Sequence, residues 1–240
     1  MKLGRFSAIH APVQRIYKRP AVVAANPTPV LDLDAANYSA VPTTGSTVAG
    51  TGAHTITVAN AGGSITWQSS NGGVFRKSTS SATDVIYGGP NYVTGQSYTV
   101  FMAYKRIATS DGRLLNTQSE ASKDWLMGLY NGNDQTFYPN FAVNLPSTGA
   151  DLFWHLDWAT WDTSTGLGQL YSATSVSPSS VTFSATNAGG GGFDQLRLFS
   201  RSLGSEVQTA DIAFIKVYND VLTLAQIKAL YATYKTRFYP

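Results

Sequence analysis

TADIAFIKVYNDVLTLAQIKALYATYKTRF, residues 209–238, is the stretch whose reading decides the fold. From Asp211 to Tyr218 nearly every position is apolar or β-branched, which suits a strand buried on both faces. Asn219-Asp220 ends it. Thr223 then stands where a helix N-cap belongs, with Gln226 three residues on, the spacing of a capping box. Beyond it Leu224, Ile227, Leu230, Tyr231 and Tyr234 recur at steps of three and four. A helix over 224–237 therefore carries one apolar stripe that must lie on something. Lys228, Lys235 and Arg237 fall on its polar side or near its C-terminal end, where they suit the helix dipole. This helix is expected to plug one end of a β-sandwich.

Upstream, the chain reads as β throughout. Ser97 to Lys105 is the clearest central strand, with β-branched and aromatic residues along its length. Arg113–Asn116 and Asp124–Tyr130 follow as strands, and Asn131-Gly132-Asn133-Asp134 is a strong turn signal. Val30–Ala35 alternates apolar and polar, as a half-buried strand does. Shorter strands are expected at His54–Val58, Ile65–Trp67, Val74–Arg76, Asp84–Tyr87, Leu170–Tyr171, Val181–Phe183 and Phe193–Phe199. The segment Asn60–Gly63 has hairpin chemistry. The Gly62-Gly63 and Gly72-Gly73 pairs open no helix, so they are turns and not phosphate cradles.

The closing stretch resembles the last strand and helix of laminin-G-like, concanavalin A-like jelly rolls. Ile212, Tyr218, Asn219, Leu222, Thr223, Gln226 and Ile227 fall on that family's positions. The opening LDLDAANYSA and the run WLMGLYNG, from Trp125, are similar to other strands of the family. The resemblance covers residues 30–238 and comes nearest to the variant found in bacteriophage structural proteins. It implies an all-β, concanavalin A-like jelly-roll β-sandwich with an extended N-terminal arm and a short C-terminal helix. It implies a fold far more firmly than a function.

With 240 residues the chain is long enough for one large sandwich. Only 13% of its residues are charged, and the abundance of Gly, Ser, Thr and aromatics suits many short strands joined by tight turns. No cysteine is present, so disulfides, thiol catalysis and Cys-ligated zinc are excluded. His10, His54 and His155 are too scattered for a His-spaced metal motif. No apolar run reaches the ~18–20 residues of a membrane span, and no cofactor is expected.

The formal charge of +3 hides an asymmetry. Residues 1–28 carry Lys2, Arg5, Arg15, Lys18 and Arg19 and no acid, hence +5; the remaining 12 bases face all 14 acids, hence −2. Residues 1–29 form the arm and 30–240 the sandwich. Pro12, Pro20, Pro27 and Pro29 keep the arm from forming a long helix or a central strand. It lacks the uninterrupted apolar run of a signal peptide. A segment of this kind becomes ordered only where its backbone and side chains find partners. We read it as an assembly anchor docked on its own chain, a sister subunit or another protein. Phe6, Ile9, Val13, Ile16 and Tyr17 are its apolar contacts, and the five bases meet acidic surface. Five charges without a groove-reading motif support no specific nucleic-acid recognition.

Asp32 and Asp34 lie two apart, so they face one side of a strand. Calcium needs six to eight oxygens from several loops, and solvent-facing or turn-capping roles fit these two better. Residues 152–162 are the most aromatic part of the chain. On a strand Trp154, Leu156 and Trp158 share one face, and His155, Asp157 and Trp161 the other. The second face, with Trp125, is the candidate glycan-binding surface, Trp161 first because it borders the Thr163–Gly168 turn. Packing in a sandwich core is the competing and stronger reading of these aromatics.

Retaining glucanases share the fold, but they need two carboxylates about 5 Å apart, usually on one strand. The only glutamates, Glu120 and Glu206, lie far apart in loop-like settings, and no G-x-S-x-G elbow occurs. A non-enzymatic protein is expected. The first reading is a virion structural protein, a capsid decoration or a tail or fibre appendage, anchored by its arm to other virion proteins. It would assemble in the host cytoplasm as a homo-oligomer, with a trimer expected from the symmetry of fibrous appendages. The alternative is a lectin-like carbohydrate-binding module recognising cell-surface glycans of a host.

Overall fold

A computed structural model describes residues 26–43, 45, 47–48, 56–60, 64–80, 86–89, 96–110, 112–117, 125–130, 133–139, 143–144, 151–173, 185–186, 196–200 and 206–240. In chain order the strands are β1 (Leu31–Asp34), β2 (Thr47–Val48), β3 (Ile56–Asn60), β4 (Ile65–Gln68), β5 (Val74–Lys77), β6 (Ile86–Gly89), β7 (Tyr98–Arg106) and β8 (Gly112–Thr117). Then come β9 (Trp125–Tyr130), β10 (Asn133–Pro139), β11 (Val143–Asn144), β12 (Trp154–Asp162), β13 (Leu167–Ala173), β14 (Ala185–Thr186), β15 (Leu196–Leu198) and β16 (Ala210–Tyr218). A helix, α1 (Leu224–Phe238), follows β16. Residues 1–25 of the expected arm, with Lys2, Arg5, Phe6, Ile9, Val13, Arg15, Ile16, Tyr17, Lys18 and Arg19, lie outside the described residues, as does the strand expected at Val181–Phe183.

The described strands form two eight-stranded sheets. The first runs β14-β13-β12-β7-β16-β5-β4, with β1 also on β16; the second runs β11-β10-β9-β8-β15-β6-β3-β2. The result is an all-β, jelly-roll-like two-sheet sandwich with a short C-terminal helix. Strand β16 sits in the middle of the first sheet. On one side it pairs with β7 along nearly its whole length. On the other it pairs with β5 at its start and β1 at its end. Every residue of β16 is buried, as its unbroken apolar run requires.

Both faces of this sheet are covered, and the side chains sort by alternation. Toward the second sheet point Leu31, Leu33, Phe75, Tyr98, Val100, Met102, Ile215 and Val217, meeting Leu114, Leu115, Met127, Leu196 and Leu198. On the opposite face Phe101, Ala103, Leu156, Trp158 and Phe214 meet Ile227, Leu230, Tyr231 and Phe238 of α1. Between Ile212 and Phe214 the ladder to β7 slips by one residue, so Ala213 is unpaired and the parity of β16 resets.

Helix α1 therefore does not plug an end of the sandwich; it lies across the outer face of the first sheet. The reason is the size of the aromatic face awaiting cover. Phe101 and Trp158 stack at 4.4 Å, Tyr234 meets Phe101 edge-on at 5.6 Å, and Phe238 meets Trp154 at 4.7 Å. Each such side chain removed from water contributes about 1.5–3 kcal/mol. The capping box forms as its spacing predicts: the Gln226 N–H donates to Thr223 Oγ1, and the Thr223 N–H to Gln226 Oε1. Leu224, assigned to the stripe from its spacing, sits in the first turn and is exposed.

The far end of the helix is fastened to the first strand. Arg237 donates two bonds to Asp34, at 2.9 and 3.0 Å, and one each to the carbonyls of Asn71 and Gly73. Lys216 reaches Asp32 at 2.5 Å. The two aspartates share a face as expected, and each holds a cation; Asp34 also caps the short 3-10 turn Ala35–Asn37 through the Ala36 N–H. Gly73 adopts φ 133°, and a Cβ there would lie 2.5 Å from the Ala35 carbonyl oxygen. Two further expectations change. The hairpin expected at Asn60–Gly63 falls largely outside the described residues, and the strands that flank it, β3 and β4, belong to different sheets and do not pair with each other. Strand β5, read from sequence as an edge or connecting strand, lies between β16 and β4.

Candidate functional site

Strands β5, β7, β12 and β16 bring one of their ends together, and antiparallel pairing fixes a row of neighbours there. Thr66 lies opposite Arg76, Arg76 opposite Asp211, Asp211 opposite Lys105, and Lys105 opposite Trp154. Alternation puts this row on the outer face, the one that α1 covers farther along the sheet. Beside it opens a cleft of about 370 Å3 lined by Arg76, Ser78, Lys105, Arg106, Ile107, Leu152 and Asp211.

The polar wall is built around one ion pair. Arg76 donates from Nε and Nη2 to the two carboxylate oxygens of Asp211, at 2.6 and 2.7 Å. This fork-to-fork geometry holds the guanidinium plane fixed and raises the Arg76 pKa through the hydrogen bond to Asp211. The Asp211 side chain is buried, whereas that of Arg76 is 38% exposed and lines the cleft. Arg106 is buried and donates to the Asp151 carbonyl. The apolar wall is open to solvent. Leu152 is 45% exposed and Phe153, next in the chain, is 71% exposed. With Ile107 they make three of the four large exposed hydrophobics among the described residues.

Behind this wall lies a polar chain that fixes the 151–154 turn. The Phe153 N–H donates to Asp151 Oδ1, and the same oxygen bonds His155 Nε2 at 2.7 Å. The His155 ring stacks on Tyr104, whose hydroxyl donates to Asp157 Oδ2 at 2.8 Å. Burial pushes the Asp157 carboxyl up, against the opposing pull of the His155 charge and of hydrogen bonds from Ser172 and Tyr104. Burial also acts upward on Asp151, but the His155 hydrogen bond and charge, the Phe153 N–H and the Arg106 charge outweigh it and hold that group below the usual carboxylate range.

The aromatic surface expected from sequence takes a different place. His155, Asp157 and Trp161 do share a face of β12, but it is the face turned toward the second sheet. Trp161 is only 4% exposed, inside the inter-sheet core, and His155 and Asp157 are buried with it. Trp158 is fully buried under α1. None of these rings offers a plane to a sugar; the packing reading of the aromatic run prevails because both faces of β12 are covered. Trp125 opens β9, and its side chain lies outside the described residues.

The residues that line the cleft escaped the sequence reading for a simple reason. Residues 152–162 read as one strand, yet β12 begins at Trp154, which leaves Leu152 and Phe153 in a turn and exposed. The signal was present: two large apolar residues just ahead of a strand and outside its alternation. Arg76, Lys105 and Asp211 give no such signal, since only strand pairing brings them together. Among the described residues no group of three or more His, Asp and Glu could hold a metal ion. No described helix is long and apolar enough to cross a membrane.

No protein-family model matches the chain, and no curated protein matches its sequence. Solved structures do. Domain 4 of an extracellular arabinanase from Geobacillus stearothermophilus, in complex with arabinotriose, matches with a TM-score of 0.58 and 14% identity, covering 85% of this chain and 98% of that domain. The receptor binding domain of the botulinum neurotoxin C/D mosaic serotype matches at 0.60 and 14%, covering 86% of this chain. The binding domain of Paraclostridial Mosquitocidal Protein 1 matches at 0.52 and 11%, covering 75%. The chain spans about half the length of the two toxin domains. At such identities the likeness is one of fold: a sandwich of the kind found in carbohydrate-binding and receptor-binding modules. Two of the three are described as binding domains. The phage and virion assignment is corrected: the structures named above are a domain of an arabinanase and two toxin binding domains, and none of these three is a phage, capsid or virion protein.

Proposed function

We propose that the protein is a carbohydrate-binding module that recognises glycans through the cleft beside Phe153. The observation that carries this reading is the meeting of an apolar wall, Leu152 and Ile107, with the fixed Arg76–Asp211 pair, at a cleft whose rim is extended by Phe153, the exposed neighbour of Leu152 in the chain. A sugar ring has a C–H face that packs on an aromatic ring and hydroxyl edges that need rigid donors and acceptors. At about 370 Å3 the cleft lies near the lower end of small-molecule sites, ~300–1,000 Å3. That size suits one or two sugar rings at a chain end. The fold likeness adds support, since the arabinanase domain is described in complex with arabinotriose. Among the described lining residues Asp211 is the one carboxylate, so these residues do not present the carboxylate pair of a glycosidase.

The test is a glycan-array screen of the full chain, followed by calorimetric titration of the best ligand against wild type and Phe153→Ala. Phe153 is so exposed that its truncation leaves thermal unfolding unchanged, while affinity drops about tenfold, the equivalent of roughly 1.4 kcal/mol of lost stacking. Absence of glycan binding at millimolar concentration refutes the proposal. So does a Phe153→Ala variant that binds as tightly as wild type.

A further inference from the structure

The charges around the cleft do not cancel. Three cations line it, Arg76, Lys105 and Arg106, against a single carboxylate, Asp211. Both oxygens of Asp211 are engaged by Arg76, so that pair is internally neutral. Arg106 sits beside Asp151 and contributes to holding that carboxyl ionised. Among the described residues one positive charge of the lining is left without a paired carboxylate, the ammonium of Lys105. It stands in the strand row between Asp211 and Trp154, half-buried, and lines the cleft.

An uncompensated cation in a partly enclosed, apolar-walled cleft is held at a cost in solvation that an anionic ligand offsets. A neutral sugar does not supply that; a sugar carrying a carboxylate or a sulfate ester does. We propose that the cleft selects acidic glycans, with Lys105 as the specificity-determining residue that pairs with the ligand's anionic group. In this arrangement Phe153 and Leu152 take the ring face, and Arg76 takes a hydroxyl or a second oxygen of the acid. Lysine is a point charge with three rotatable donors, so it fits either acid, whereas a planar fork would favour the carboxylate. The inference rests on the carbohydrate-binding reading and names the ligand class of that site.

The test compares three matched ligands on the full chain by calorimetry at low salt: a neutral oligosaccharide, the same sugar oxidised to its uronate, and its sulfate ester. At least one acidic form is expected to bind ten times or more tightly than the neutral one, with the ratio shrinking as salt rises from about 0.05 to 0.5 M. Lys105→Met should bring the ratio near one, and Lys105→Arg should restore most of it, with equal thermal unfolding of all three proteins as the control. Which acidic form is preferred identifies the anionic group. Equal binding of neutral and acidic ligands, or an acid preference that survives Lys105→Met, overturns the inference and leaves the carbohydrate reading standing. If none of the three binds and the array also finds no ligand, both fall together.

Discussion

Arg237 is the last link between α1 and the sheet, and its removal tests how the outer layer is held. The perturbation is Arg237→Met, which keeps an aliphatic chain but deletes the guanidinium, and with it the cation–π contacts of that group over Phe214 and Phe238. Lost with it are two charge-assisted bonds to Asp34 and the donors to the carbonyls of Asn71 and Gly73. The ion-pair side chains are 17% and 12% exposed. That places the pair between exposed salt bridges, about 0–1 kcal/mol, and the breaking of buried ones, about 3–5 kcal/mol. We expect a loss of about 3 kcal/mol, nearer the buried limit because Asp34 keeps only its bond from the Ala36 N–H. In urea, with a slope of about 3 kcal/mol/M, the unfolding midpoint falls by about 1 M. Asp34→Asn and the double variant complete a cycle, in which the coupling should exceed about 1.5 kcal/mol. A loss under about 1 kcal/mol, with the two changes additive, refutes the reasoning and leaves the helix held by its aromatic packing and by the bonds from Asn71 to the Arg237 carbonyl and from the Tyr239 hydroxyl to the Trp154 and Ala173 carbonyls.

The pH response of Asp157 has a definite sign. Its carboxyl is pushed up by burial, so the folded state keeps a proton that the unfolded chain has already released, and stability falls as pH rises through that interval. Asp157→Asn should remove this slope and raise stability at neutral pH relative to acid. Urea midpoints of both proteins between pH 4 and 8 check it; parallel curves would show that the Tyr104 and Ser172 bonds cancel the burial effect. Deletion of residues 1–28 should leave the sandwich folded, since the ladder along β16 begins with the Val30 N–H. A fall in melting temperature beyond about 4 °C, equivalent to 1–2 kcal/mol for a chain of this size, would place that segment in the core's stability.

Periodicity and cap chemistry made the closing stretch legible, because both are local. β16, the capping box and the stripe of Ile227, Leu230 and Tyr231 follow from residues a few positions apart. What the helix covers is not local. Its place on the outer face depends on Phe101, Trp158 and Phe214, three residues on three strands that only pairing makes neighbours. The aromatic run at 152–162 misled for the same reason. Alternation sorted its residues onto the right two faces, but sequence alone could not tell that both faces of the sheet are covered. The cleft was the least legible feature, since the Arg76–Asp211 contact spans 135 positions and Lys105 joins them only through the register of β7.

The position of β16 also bears on how the chain folds as it is made. β1, β5 and β7 emerge from the ribosome early, yet in the native sheet they share a common neighbour that is not synthesised until residues 210–218. Until then the first sheet has a gap at its centre, with β7 open on one side and an aromatic surface without its cover. A nascent chain of this kind is exposed to aggregation and to chaperone capture for most of its synthesis. Closure then comes in one late step, as a single strand and the helix behind it fill the middle and the outside of the sheet together.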